Sequence, residues 1–415
     1  MAKINPFKPN SPVPTGMFAG RHKEIHALEE GLYQTKLDQP ASFLMTGDRG
    51  IGKSSLLLFL KAVSVGDIET KDYGKFDFLT VHIPVSEKLD IATMMKLVEK
   101  NISREIGKIE SVRSFFTQTW EFVHRIRVMN SGISAAEIDS ETELQLDEFS
   151  HSLSETCKRI VKPERGESKK DGMLFLFDEC DNASPLLRLG YFFKSVTETL
   201  QRQGCDNIMF VVAGLPDTSE KLSNSHESSV RIFTPLKITE LSMDDRKYVI
   251  NKGLEAGNKI NTEKTTISDD GRNQIAALSE GYPHFIQQFA HSAFNHDSDG
   301  EISVDDVLDS ALKPGGAIDA IGSSYYASAF NEKIKSDEYR QVLSIMAEKQ
   351  NSWITKAEIR NSFTGDDSTL TNALQALTSR KIILKNPSKI GEYRLQQRGF
   401  ALWIRLFGKR NAESK

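Results

Sequence analysis

Cysteine is scarce in this chain: only Cys157, Cys180 and Cys205 occur among 415 residues. They are odd in number and too scattered for paired-ligand spacing, which excludes a disulfide framework and a zinc knuckle. Long apolar runs are also missing. Runs such as Leu56 to Leu60, Met173 to Phe177 and Ile208 to Ala213 fall far short of the roughly 18 residues that span a bilayer. The opening Met1-Ala2-Lys3-Ile4-Asn5-Pro6 has no apolar signal core, so a cytoplasmic protein with no membrane contact is expected. There is no internal repeat, no low-complexity tract and no serine-nucleophile elbow. His291 and His296 lack metalloprotease spacing and read as structural.

What remains is ordinary globular material. Hydrophobic residues at 39% and charged residues at 27% exclude disorder, and the length predicts two to three domains of roughly 150 residues each. The net charge of −4 is uneven: residues 331–415 carry 16 Lys and Arg against 9 Asp and Glu, a local +7 that leaves −11 for the rest. That asymmetry points the C-terminal fifth toward a polyanion.

The first twenty residues hold Pro6, Pro9, Pro12 and Pro14 and read as an extended arm, because each proline removes a backbone donor. Short apolar runs at residues 41–46, 78–84, 173–177 and 208–213 read as strands separated by helical patterns. Strands alternating with helices predict a parallel α/β sheet. About residues 88–170 form an all-helical insertion, in which Val112, Phe115, Phe116, Val123 and Ile126 stand at helical spacing and read as core. Four helical patterns follow between residues 241 and 312. Lys313-Pro314-Gly315-Gly316 then opens an expected linker, 313–335. From residue 336 three short helical patterns and two strand patterns around a polar turn outline a winged helix. The expected domains are thus 1–240, 241–312 and 336–415.

Gly47-Asp48-Arg49-Gly50-Ile51-Gly52-Lys53-Ser54 fits G-x-x-x-x-G-K-[ST] and lies between an apolar strand and a helix that continues through Ser55. In that setting backbone N–H groups and a helix N-terminus wrap phosphates. Lys53 is expected to reach the β- and γ-phosphates of ATP, and the Ser54 hydroxyl to coordinate Mg²⁺. A metal also wants a carboxylate, and a hydrolytic water wants a base. The strand ending Phe177-Asp178-Glu179 offers both, with Asp178 for the metal and Glu179 for the water.

With these motifs in hand the chain resembles AAA+ ATPases of the origin-initiator and STAND branch. The resemblance runs through Phe18-x-Gly20-Arg21-x-x-Glu24, the loop, Asp178-Glu179, Phe233-Thr234-Pro235-Leu236 and Gly281-Tyr282-Pro283-His284-Phe285. It covers most of the chain and implies a nucleotide domain, a helical lid and a winged helix. It further implies that Phe18 and Arg21 lie against the adenine, that Tyr282, Pro283 and His284 start a lid helix over the nucleotide, and that Arg231 is an arginine finger supplied to a neighbouring subunit of a homo-oligomer. Two departures imply slow, switch-like turnover. Val211 to Pro216 offers no polar sensor at the end of the fourth strand, and His284 stands where relatives have an arginine.

At the C-terminus, the pattern Ser368 to Arg380 reads as a recognition helix exposing Ser368, Thr369, Asn372, Gln375 and Ser379. Arg380, Lys381, Lys385, Lys389 and Arg394 gather about the wing. This suits phosphate contact better than base reading, so double-stranded DNA and a partner protein are both open as ligands. The leading expectation is an ATP-dependent switch or assembly factor, with defence and mobile-element systems as settings suggested by analogy. A nucleotide-stabilised scaffold that does not hydrolyse ATP is the alternative, and a small-molecule kinase fits less well.

Overall fold

Met173 to Phe177 and Ile208 to Ala213 become strands with every side chain buried, as apolar runs must when helices cover both faces of a parallel sheet. The structure, a computed structural model, describes residues 3–11, 18, 20–107, 110–126, 140–165, 168–327, 330, 334, 336–349, 352–380, 382–386, 389–396 and 398–407. It divides into two units, one of residues 14–239 and one combining residues 1–13 with residues 240–415.

In the first unit the elements run α1 (His22–Lys36), β1 (Ser42–Thr46), α2 (Lys53–Ser64), β2 (Phe78–Pro84), α3 (Ile91–Ile106), α4 (Glu110–Thr119), α5 (Ser140–Val161), β3 (Gly172–Asp178), α6 (Leu189–Arg202), β4 (Ile208–Gly214), α7 (Thr218–Ser225) and β5 (Thr234–Lys237). The five strands are parallel in the order β2-β3-β4-β1-β5. The chain leaves β1 for the β2 edge and later crosses over β1 to form β5. That reversal puts a crevice at the carboxyl end of β1, where open α/β sheets bind ligands.

The described residues between β2 and β3 are mostly helical, in keeping with their periodicity. Val112, Phe116, Val123 and Ile126 are buried in the same core as the sheet, so the aromatic stripe is packing rather than a ligand box. Trp120 stacks on Phe116 at 5.3 Å, meets Phe149 edge-on at 5.4 Å, and donates from Nε1 to Thr156 Oγ1 at 2.8 Å.

The second unit continues with α8 (Met243–Ile260), β6 (Thr266–Ile267), α9 (Asp269–Leu278), α10 (Pro283–His296), β7 (Glu301–Ile302), α11 (Val304–Leu312), α12 (Ala317–Tyr325), α13 (Asp337–Glu348), β8 (Ile354–Thr355), α14 (Lys356–Ser362), α15 (Asp367–Ser379), β9 (Ile383–Lys385), β10 (Glu392–Leu395) and α16 (Arg398–Phe407). Two boundaries differ from the sequence reading. Lys313 to Gly316 is a turn, closed by Gly316 N–H to Lys313 C=O at 2.9 Å, and α12 follows at once where a linker was expected. The reason is burial: Ala317, Ile318 and Ile321 are covered, and Tyr326 stacks at 4.6 Å on Phe400 of α16. The start of the arm was expected in the nucleotide domain, yet residues 3–8 pack on α8 and α10, where Phe7 is buried. Strands β8, β10 and β9 form an antiparallel sheet beside α13, α14 and α15. Asp366 caps α15 by accepting the Thr369 N–H at 2.6 Å. Among the described residues no helix is long and apolar enough to cross a membrane.

Candidate nucleotide-binding site

The glycine-rich loop is rooted in the sheet on both sides. Gly47 N–H donates to Gly214 C=O of β4 at 3.3 Å, and Ile238 N–H, just past β5, donates to Thr46 C=O at 2.7 Å. Gly50 and Gly52 take φ of 78° and 102°, a left-handed backbone that a side chain would oppose by about 1 kcal/mol or more. Ile51 is buried as the loop's anchor. Helix α2 then begins at Lys53, so its first-turn N–H groups and the positive end of its dipole meet the loop.

Lys53 spans this loop, its Nζ donating to Gly47 C=O at 2.7 Å and Asp48 C=O at 2.9 Å. Burial pushes the ammonium pKa down, while the carboxylates of Asp181, Asp178 and Asp48 oppose the shift. The loop lysine and the acids after β3 therefore share one electrostatic neighbourhood. Register explains why: Phe177 of β3 pairs with Val212 of β4, which pairs with Leu44 of β1. Asp178 thus stands one residue further on, two strand spacings or about 10 Å from β1.

Asp178 is almost fully buried, and its Oδ1 accepts the Glu179 N–H at 2.8 Å. Its Oδ2 lies 4.0 Å from Nε2 of His82 on β2. Burial pushes the His82 pKa down, with Asp178 opposing, and Nε2 is buried without a hydrogen-bond partner. Sequence reasoning passed over His82; its one signal was a titratable residue inside an apolar strand. Glu179 adopts φ 57°, ψ 35°, a strained turn directly after the strand that starts a 3₁₀ turn, Cys180–Asn182.

The end of β4 itself carries no polar side chain, as the sequence indicated. Asp181 lies beside it in the neighbouring turn, its Oδ1 accepting the Leu215 N–H at 3.1 Å. Lys221 of α7 fixes the same turn by donating to the carbonyls of Asp181 and Ala183. The available signal for Asp181 was a third carboxylate just beyond the acid pair, in Asp178-Glu179-Cys180-Asp181.

The other expected site residues are placed as follows. Phe18 stacks on Phe59 of α2 at 5.3 Å. Arg21 is buried, donates to Ile51 C=O at 3.1 Å and pairs with Glu24 at 3.7 Å, so its guanidinium braces the loop. Arg231 is exposed in a 3₁₀ turn, Glu227–Ile232, ahead of β5. With Ser42 and Ile208 it rims a recess of about 360 Å³ at the amino ends of the strands, the end opposite its own loop. Tyr282, Pro283 and His284 start α10 in the second unit. The Tyr282 ring is buried and stacks on Phe285 at 5.1 Å, and the His284 ring lies 5.1 Å from Tyr325. Lys381 falls outside the described residues.

The donor set fits Mg²⁺. Ser54 in the first turn of α2 and Asp178 at the end of β3 are hard oxygen donors, the type that binds Mg²⁺ alongside phosphate oxygens and water. Among the described residues no group of three or more His, Cys, Asp or Glu could hold a metal alone. A cation here would depend on the nucleotide for its remaining ligands.

A five-stranded parallel sheet with this loop after β1 and an acid pair after β3 defines the fold of an origin-initiator-type AAA+ P-loop ATPase. The chain is similar over its length to a solved structure of the ORC2 protein of Aeropyrum pernix with ADPNP and ADP, at 13% identity and a TM-score of 0.56, covering 98% of each chain. It is likewise similar to the ADP form of that protein, at 14% identity and a TM-score of 0.50, covering 99% of this chain and 95% of the other. No family model and no curated protein matches the sequence.

Proposed function

We propose that the chain is an ATP-dependent switch that binds ATP with Mg²⁺ and hydrolyses it slowly to ADP and phosphate. The observation that carries this reading is Lys53 bridging two loop carbonyls beside the carboxylates of Asp178 and Asp181. Lys53 exchanges those carbonyls for phosphate oxygens, the backbone of Gly47 to Ser55, including Asp48, Arg49 and Ile51, wraps the phosphates, and Arg21 holds Ile51 from behind. Ser54 and Asp178 would hold Mg²⁺, which would supply neutralisation of phosphate charge. Glu179 polarises the attacking water. The carboxylate of Asp181 is engaged by the Leu215 N–H, which supports slow rather than rapid turnover.

Residues 241–312 serve as a helical lid domain, with Tyr282, Pro283 and His284 at the start of its α10. Arg231 lies at the far end of the sheet from its own loop, so it serves a neighbouring copy in a homo-oligomer. The strands and helices from α13 to α16 form a winged helix. Exposed Lys385 and Lys389 suit a phosphate backbone, whereas Asp366 and Asp367 at the start of α15 repel one, so contact with double-stranded DNA runs through the wing. A partner protein is the second ligand class, favoured by Ile390, fully exposed at the wing tip.

Titrating ATP·Mg²⁺ into the full chain tests the core of this reading. Lys53→Ala removes charge-assisted bonds of about 3 kcal/mol, so affinity falls about 100-fold or more. Unchanged affinity overturns it.

A further inference from the structure

We infer that the lid carries a peptide-binding groove whose ligand is the chain's own N-terminal segment, residues 3–8, docked as a latch that opens and closes. The groove reads main chain and side chain alike. Asn261, at the end of α8 and buried, accepts the Ile4 N–H at 2.8 Å through Oδ1 and donates to the Ile4 C=O at 2.8 Å through Nδ2. Such a two-bond grip treats the arm as a neighbouring strand would. Gln287 of α10, also buried, accepts the Lys8 N–H at 2.9 Å.

Side-chain pockets set the register between those grips. Gly253 and Gly257 lie four apart on one face of α8, where each costs roughly 1 kcal/mol relative to alanine. Their use is the notch they leave: a Cβ on Gly253 would lie 2.2 Å from the Phe7 ring, and one on Gly257 2.8 Å from Pro6. Phe7 fills that notch and meets Phe294 edge-on at 6.4 Å. Lys3 pairs with the Asp297 carboxylate at 2.7 Å and lies over Phe294 at 4.8 Å. Asn5 donates to His291 C=O at 2.9 Å and Asn295 Oδ1 at 2.7 Å. The ligand class is therefore an extended basic peptide of the form Lys-x-Asn-Pro-Phe.

Nearly all of the segment's grip comes from residues some 250 to 290 positions away in sequence. Tethering gives the arm an effective concentration in the millimolar range against any free peptide.

The test uses full-length protein and a fluorescent peptide of residues 1–11, read by anisotropy. In the Lys3→Glu/Phe7→Ala chain the tethered arm is weakened, and the free peptide binds at least tenfold tighter than to wild type. The same peptide carrying Phe7→Ala loses at least tenfold, and adding Gly253→Leu to the open chain abolishes binding. A melting temperature for each variant establishes that it is folded. Equal binding to wild type and the open chain, no binding to a folded open chain, or binding indifferent to Phe7 overturns the inference. None of these readouts needs nucleotide, so they stand apart from the ATP reading.

Discussion

The phosphate loop and the lid groove differ in how they are assembled. Eight consecutive residues, Gly47 to Ser54, make the first, with a strand before and a helix after. The second joins Lys3 to Lys8 with Gly253, Gly257, Asn261, Gln287 and Asp297. A site made of contiguous backbone announces itself through the residue types the backbone demands. One made by segments far apart in sequence leaves only faint marks, here two glycines inside a helix and a Phe between prolines.

Arg231→Ala gives the largest effect: at concentrations where copies assemble, turnover falls about 1,000-fold, as for a finger supplied in trans, while dilute protein changes little. Phosphate release measured across protein concentration decides this, and an equal loss at all concentrations would remove Arg231 from an intersubunit role. A smaller effect tests whether the loop is truly self-sufficient. Arg21→Ala removes a buried charge-assisted bond to Ile51 C=O, so ATP affinity falls about tenfold in calorimetric titration. No change would make the loop wholly local and sharpen the contrast. The smallest is Gly253→Leu in the wild-type chain, which displaces the arm yet leaves ATP affinity within about twofold.

The fold was largely legible in sequence. Strands β1 to β4 follow apolar runs, and α8 to α11 and α13 to α15 follow apolar spacing, because burial dictates both. What escaped depended on distant partners. Helix α12 hides behind Pro314 and two glycines and is secured by aromatic residues of α16, some 80 positions on. His82 joins the site through strand register, which no local pattern encodes. Arg21 was expected at the nucleotide from resemblance alone, and its bond to Ile51 C=O ties it to the loop, a link no local pattern encodes.

The most direct test of the central claim is steady-state phosphate release from ATP·Mg²⁺ by the full chain, wild type against Glu179→Gln, with ATP binding measured in parallel. The account predicts slow release by wild type, a loss of about 100-fold or more in Glu179→Gln, and ATP affinity retained in both. Release that Glu179→Gln leaves unchanged, or a wild-type chain that does not bind ATP, would contradict it.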